Sequence, residues 1–170
     1  ALNRPVRVID ALGNETTYGY DAMDWQANWQ FFVLDANTYN IESQIDMGAA
    51  FPYVYDMTYD YMTSTMYVLA GASEDNTDLY VADMETGKLT LLMETDPLLM
   101  AVAAGPDGKL YAIENSKSVV DEWDPWAEPT LVNAQLWVID PLEGTLELVG
   151  DTGLLSNMIS SMAYDYDTDA

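Results

Sequence analysis

Apolar residues recur along this chain with period two, in short runs separated by Asp, Gly, Thr and Pro, the pattern of half-buried strands joined by turns. Three runs share one phrase: Phe31-Phe32-Val33-Leu34-Asp35, Leu79-Tyr80-Val81-Ala82-Asp83 and Leu136-Trp137-Val138-Ile139-Asp140. The second and third copies align without a gap through Gly87 and Gly144, at a spacing of 57 residues, whereas the first places Tyr39 at that glycine position. Each phrase predicts a strand, a turn and a returning strand such as Leu89-Thr90-Leu91-Leu92 or Leu146-Glu147-Leu148. The turn chemistry is explicit: Asp and Thr side chains can bond nearby amides, and glycine takes positive φ without steric cost. No stretch keeps a 3.6-residue stripe, and the runs rich in Val, Tyr, Thr and Trp favour strands over helices.

A second hairpin lies between these copies. Met57–Tyr67 aligns with Ala101–Tyr111 at a spacing of 44, with Gly105-Pro106-Asp107-Gly108 as its turn, and a third copy opens at Met162-Ala163-Tyr164-Asp165. Two alternating hairpins make a four-stranded antiparallel unit of ~40–50 residues, the size of a propeller blade. The expected fold class is therefore all-β, a partial β-propeller of four-stranded antiparallel blades. Blades are expected at 51–96 and 97–150, with a partial first blade in 1–50 and the start of a further one in 151–170. The segment Leu154–Met162 reads as a loop leading into a strand. Closed propellers need ~4–8 blades, so this segment is expected to belong to a larger propeller, completed by further blades of the same protein or by a second chain. A β-sandwich with similar hairpins is the competing all-β reading.

The phrases Leu79–Asp83 with Thr86-Gly87-Lys88, Gly105–Tyr111 and Leu136–Pro141 resemble the bacterial propeller superfamily of YVTN, NHL and quinoprotein-like repeats, over roughly residues 28–170. In its tyrosine-rich, lysine-poor style the chain resembles secreted surface proteins of Gram-positive anaerobes, in which propellers accompany immunoglobulin-like modules. The resemblance implies an extracellular or cell-surface module and specifies blades, not an activity. Catalytic propellers of that class generally use His or clustered acids near the axis. This chain has no His, so the resemblance carries over no catalytic residue, and the expectation is a non-enzyme.

Composition sharpens the choice of partner. Five Lys and Arg against 29 Asp and Glu give a net charge of −24, which repels nucleic acid and anionic membranes. Such an excess of acids also serves solubility in a strand-rich protein. Cysteine is absent, which removes disulfides and thiol chemistry. No apolar run is long enough for a spanning helix, so no membrane insertion is expected, and Ala1-Leu2-Asn3-Arg4-Pro5 lacks the apolar core of a leader peptide. If exported, the chain is expected to be a mature or excised segment.

Two departures from the repeat carry the candidate chemistry. The spacing grows from 44 to 57 between the first and second hairpins, which puts 13 extra residues within 115–134. That insertion holds Asp121, Glu122, Trp123, Asp124 and Trp126, and indole rings beside carboxylates can stack on sugars, hold cationic groups or anchor a protein partner. The bland alternative is that both rings cap the blade. Trp25 and Trp29 occupy the corresponding loop before the first phrase. The second departure is Asp165-Tyr166-Asp167-Thr168-Asp169, whose alternating carboxylates suit a hard cation such as calcium, although they lack the glycine and distal glutamate of a full calcium loop and a plain hairpin turn is the favoured reading. The related turn after Asp60 keeps only the first acid, and Glu74-Asp75-Asn76-Thr77-Asp78 reads most simply as a solvated loop. Trp137 and the tyrosines 59, 67, 111 and 164 recur at repeat positions and read as packing. The functional expectation is a non-catalytic binding module for a glycan or protein. A purely structural module is the alternative, and a hydrolase or lyase using acids comes after both.

Overall fold

The computed structural model describes residues 6–9, 15–18, 30–35, 37–46, 53–72, 76–119, 130–156 and 158–165. All regular structure among them is strand, arranged as antiparallel sheets of two or four strands. Contacts divide the chain into two compact units, Ala1–Pro52 with Ala82–Thr90, and Tyr53–Val81 with Leu91–Ala170.

In the first unit, β1 (Val6–Ile9) pairs with β2 (Glu15–Tyr18) and β3 (Gln30–Leu34) with β4 (Ile41–Asp46). These are two separate ribbons, so the described part of residues 1–50 forms no four-stranded sheet. Phe31 is buried and the rest of β3 half-buried, while β4 alternates between exposed and half-buried positions.

Two four-stranded meanders follow. The first contains β5 (Tyr53–Asp60), β6 (Thr65–Gly71), β7 (Asp78–Ala82) and β8 (Leu89–Glu94), hydrogen-bonded in chain order. The second contains β9 (Leu99–Ala104), β10 (Leu110–Glu114), β13 (Gln135–Asp140) and β14 (Thr145–Asp151), again in chain order. Between β10 and β13 a small hairpin, β11 (Lys117–Val119) with β12 (Thr130–Val132), forms a sheet of its own.

In each meander the last strand is the least buried. The near-continuous apolar runs of β6 and β9 are buried at almost every position, whereas β8 and β14 are exposed or half-buried throughout. The core of the second unit gathers Tyr67, Leu69, Leu79, Leu99, Val102, Leu110, Ala112 and Ile139, with Trp137 packed against it from a half-buried position. Ala101, Ala103 and Ala104 of β9 are buried, and β9 runs close to β5. β5 and β9 are edge strands of their own sheets, and side chains join them: the amide of Val102 donates to Asp56 Oδ2 at 2.9 Å and that of Ala104 to Thr58 Oγ1 at 3.0 Å.

The turns repeat one device. Asp83 Oδ1 accepts the amides of Glu85 and Thr86, its carbonyl accepts the Gly87 amide, and Gly87 lies at φ 73°. Asp140 makes the same bonds to Leu142, Glu143 and Gly144, with Gly144 at φ 65°. Asp35 does so with Asn37, Thr38 and Tyr39, where the tyrosine itself takes φ 57°. A related turn closes β5 and β6: Asp60 accepts the Met62 amide and the Thr63 hydroxyl, and Ser64 sits at φ 54°.

The exits of the two meanders also match. Thr95 Oγ1 donates to the carbonyl of Thr77 after β8, and Thr152 Oγ1 donates to the carbonyl of Ala134 after β14 at 2.7 Å. These pairs stand 57 residues apart in sequence, so the repeat extends beyond the strand phrases. After Thr95 the chain enters β9, but among the described residues after Asp151 there is no strand, including Met162–Asp165, where the alternation predicted one.

Candidate functional site

The insertion begins where β10 stops and ends where β13 starts, at residues 115–134, against 72–77 between β6 and β7. Its base is a hairpin in which Lys117 faces Val132, Ser118 faces Leu131 and Val119 faces Thr130. Backbone pairing therefore joins the two segments that flank residues 120–129.

The root is bonded to the chain that leaves β14. The Ser116 amide donates to the Ser156 carbonyl at 2.9 Å, the Ser116 hydroxyl donates to the same oxygen at 2.6 Å, and the Ser156 amide donates back to that hydroxyl. The Ile159 amide donates to Asn115 Oδ1 at 3.0 Å, and Ala134, fully buried, exchanges backbone bonds with Thr152 and Leu154. Lys117 Nζ lies 2.5 Å from Oε1 of the buried Glu114, which pins the first stem strand to the end of β10. Asn133 Nδ2 donates to Asp151 Oδ2 at 3.2 Å on the other strand.

Beside this stem is an open cleft of about 260 Å³, lined by Ser116, Lys117, Ser118, Leu131, Leu155 and Ser156. Sequence reasoning did not single out these residues. The available signal was the apolar pair Leu154-Leu155 directly after the Asp151-Thr152-Gly153 turn, where a solvated connection would ordinarily be polar.

Trp123, Trp126, Asp121, Glu122 and Asp124 lie outside the described residues, as do Trp25, Trp29, Glu74, Asp75, Asp167 and Asp169. Asp165 is described and exposed, and among the described residues no group of three or more acids gathers as a metal site. Asp60, the related turn acid, directs both carboxylate oxygens to its own turn. Asp78 Oδ1 accepts the Thr95 amide at 3.3 Å. Of the repeated aromatics, Tyr67 is buried, which pushes its phenol pKa up, and Tyr164 packs on Tyr111 at 6.1 Å between ring centres. Trp137 packs against the core, and among the described residues its buried Nε1 finds no hydrogen-bond partner, a cost because a buried indole N–H usually meets an acceptor.

A family model described as RHS Repeat matches residues 1–27, the stretch that contains the β1–β2 ribbon. RHS repeats occur in cell-surface and secreted proteins, and this match makes the chain similar to a repeat protein of that kind. A search of curated proteins returns no match. Among the described residues no helix is long and apolar enough to cross a membrane.

Proposed function

We propose that this chain is a non-catalytic β-propeller segment of an extracellular or cell-surface protein, and that it binds a glycan or protein partner through the insertion between β10 and β13. The observation that carries this reading is the β11–β12 hairpin, a separate small sheet inserted between β10 and β13 of an otherwise repeated meander. Repeat proteins commonly concentrate recognition in such insertions, on one face of a rigid scaffold. Trp123 and Trp126 would supply stacking surfaces, and Asp121, Glu122 and Asp124 would orient hydroxyl or cationic groups.

The propeller part of the proposal draws on the two matching meanders, the exposed last strand of each, and the shared Thr95 and Thr152 exits. Further blades, from the same protein or a second chain, would complete the ring. Calcium enters as a stabiliser of the turn that starts at Asp165 and includes Asp167 and Asp169.

A glycan array, probed with and without calcium and alongside Trp123→Ala and Trp126→Ala, tests the binding assignment. Loss of the bound signal in either variant, at unchanged thermal stability, is expected. Retention in both would remove the loop from the assignment.

A further inference from the structure

We propose that residues 158–165 form a strand-addition site, which takes one antiparallel β-strand from another polypeptide. The proposal rests on the propeller reading and deepens it by naming the edge and the strand that suits it.

The chain leaves both meanders by the same route. Thr95 and Thr152 make equivalent hydroxyl bonds, and the next fixed points also recur 57 residues apart. The Leu99 amide donates to Thr77 Oγ1 at 2.8 Å, and the Ser156 amide donates to Ser116 Oγ. The Val102 amide donates to Asp56 Oδ2, and the Ile159 amide donates to Asn115 Oδ1 at 3.0 Å. Direction agrees as well. β9 runs parallel to β5, since Val102 meets Asp56 and Ala104 meets Thr58. Ser156, Ile159 and Tyr164 meet Ser116, Asn115 and Tyr111 in turn, so this segment runs counter to β10 and therefore parallel to β9. Residues 156–165 thus lie on the second meander as β9 lies on the first, with Met158 rather than Met162 as the counterpart of Ala101.

What differs is the next strand. β9 pairs with β10, as β5 pairs with β6, whereas residues 158–165 belong to no ladder among the described residues. Met158 is 83 % exposed, while Ala101 is fully buried. Amides alternate in direction along a strand. Val102 and Ala104 turn theirs to β5, which leaves those of Ala101 and Ala103 for β10. With Ile159 turned to Asn115, the Met158 amide faces the place of an added strand, and it reaches only Ser156 Oγ of its own segment, at 3.3 Å.

The two filled places define the occupant. β6 presents Met66-Tyr67-Val68-Leu69 and β10 presents Leu110-Tyr111-Ala112-Ile113, 44 residues apart. All eight are buried except the half-buried Tyr111. A fitting strand therefore carries Met or Leu, then Tyr, then Val or Ala, then Leu or Ile. β6 and β10 themselves are paired on both edges, so the strand comes from another polypeptide. Addition to a sheet edge draws affinity from backbone hydrogen bonds and specificity from alternate side chains.

A labelled peptide with the sequence Gly105–Ser116 carries the β10 pattern and serves as the probe against the intact chain, followed by fluorescence anisotropy and by segment-resolved hydrogen exchange. Exchange across residues 158–165 should slow when the peptide binds. N-methylation of the peptide at Tyr111 and Ile113, whose amides face β9 in the fold, should weaken binding roughly tenfold, whereas N-methylation at Leu110 and Ala112 should not. Equal effects of the two methylated peptides, unchanged exchange at 158–165, or protection at the free edges of β8 or β14 instead would overturn the proposal. Protection of 158–165 that rises with protein concentration in the absence of peptide would assign the site to a second copy and overturn the stated occupant. Slow exchange shared by both meanders without peptide belongs to the propeller reading. If it persists while the peptide protects nothing, the site alone fails, and if the meanders open independently, the propeller reading fails with it.

Discussion

The amide of Val102 and the carboxylate of Asp56 meet at 2.9 Å between two different sheets, and Asp56 is buried there at 7 % exposure. Two residues along β9, Ala104 finds its acceptor in Thr58 Oγ1. An edge strand normally presents unpaired amides as a template for further pairing. Here alternate amides of β9 are answered by side chains of β5, so the sheets pack side by side without merging into one.

Removing those acceptors should therefore cost more than removing ordinary surface polar groups. Asp56→Ala leaves the Val102 amide buried without that acceptor and should destabilise by about 1.5–3 kcal/mol, the range for hydrogen bonds to charged groups. Thr58→Val should cost about 1 kcal/mol, since the bond it removes is between neutral groups. Asp56→Asn keeps an acceptor oxygen and should fall between them. Urea unfolding of the three variants checks the order, and an Asp56→Ala no more destabilised than Thr58→Val would contradict the role of the carboxylate.

Much of this arrangement was legible in sequence because its causes are local. Short apolar runs, alternating or continuous and bounded by turn residues, place β6, β7, β9, β10, β13 and β14, and the Asp residues at 35, 83 and 140 mark turns because an Asp carboxylate reaches amides two and three residues ahead. The insertion was legible from spacing alone, and its limits, Asn115 and Ala134, fall where β10 ends and β13 begins. The pairing of Asp56 with Val102 was not legible, because it joins residues far apart in sequence and reads locally as one more acid in an acidic strand. Nor was the exposure of Leu131 and Leu155 in one cleft, which depends on Ser156 bonding back to Ser116. That the local β1–β2 and β3–β4 hairpins stay two ribbons instead of joining in one sheet was not legible either, because pairing between hairpins leaves no local mark in the sequence. The candidate loop residues Trp123 and Trp126 lie outside the described residues.

The left-handed turn position gives a second prediction. Tyr39, Gly87 and Gly144 hold equivalent places at φ 57°, 73° and 65°, but only the first carries a Cβ. The left-handed conformation costs a non-glycine residue about 1–2 kcal/mol, partly offset in a Gly variant by the entropy of its unfolded chain. Tyr39 is exposed and loses little packing, so Tyr39→Gly should stabilise by about 0.5–1 kcal/mol. In the reverse direction, Gly144→Ala has open space and should cost about 1 kcal/mol. Gly87→Ala should cost distinctly more, because its Cβ would fall 2.3 Å from the Asp46 carbonyl oxygen. Thermal unfolding of the three variants separates backbone strain from collision, and equal losses at positions 87 and 144 would exclude the collision.

The same turns should make the fold sensitive to acid. Asp35 and Asp83 are held below the ordinary carboxylate pKa, chiefly by the backbone amides of Thr38 and Glu85 respectively, with further help from Asn37 and Thr86. A carboxylate whose pKa is lower in the folded than in the unfolded chain contributes stability that is fully present above the unfolded value of 3.8. That contribution is lost as the pH falls through the lower, folded value, because protonation removes the charge that the amides favour. Asp83 is exposed and Asp35 only partly covered, so solvent moderates the effect. Asp83→Asn keeps the acceptor geometry but has no proton to gain. Its thermal midpoint should lie below that of the parent near neutrality, and the two should converge as the pH falls below 3.8. Midpoints for the parent and variant that stay parallel across the whole descent would mean that the ionised Asp83 adds nothing beyond its hydrogen-bond geometry.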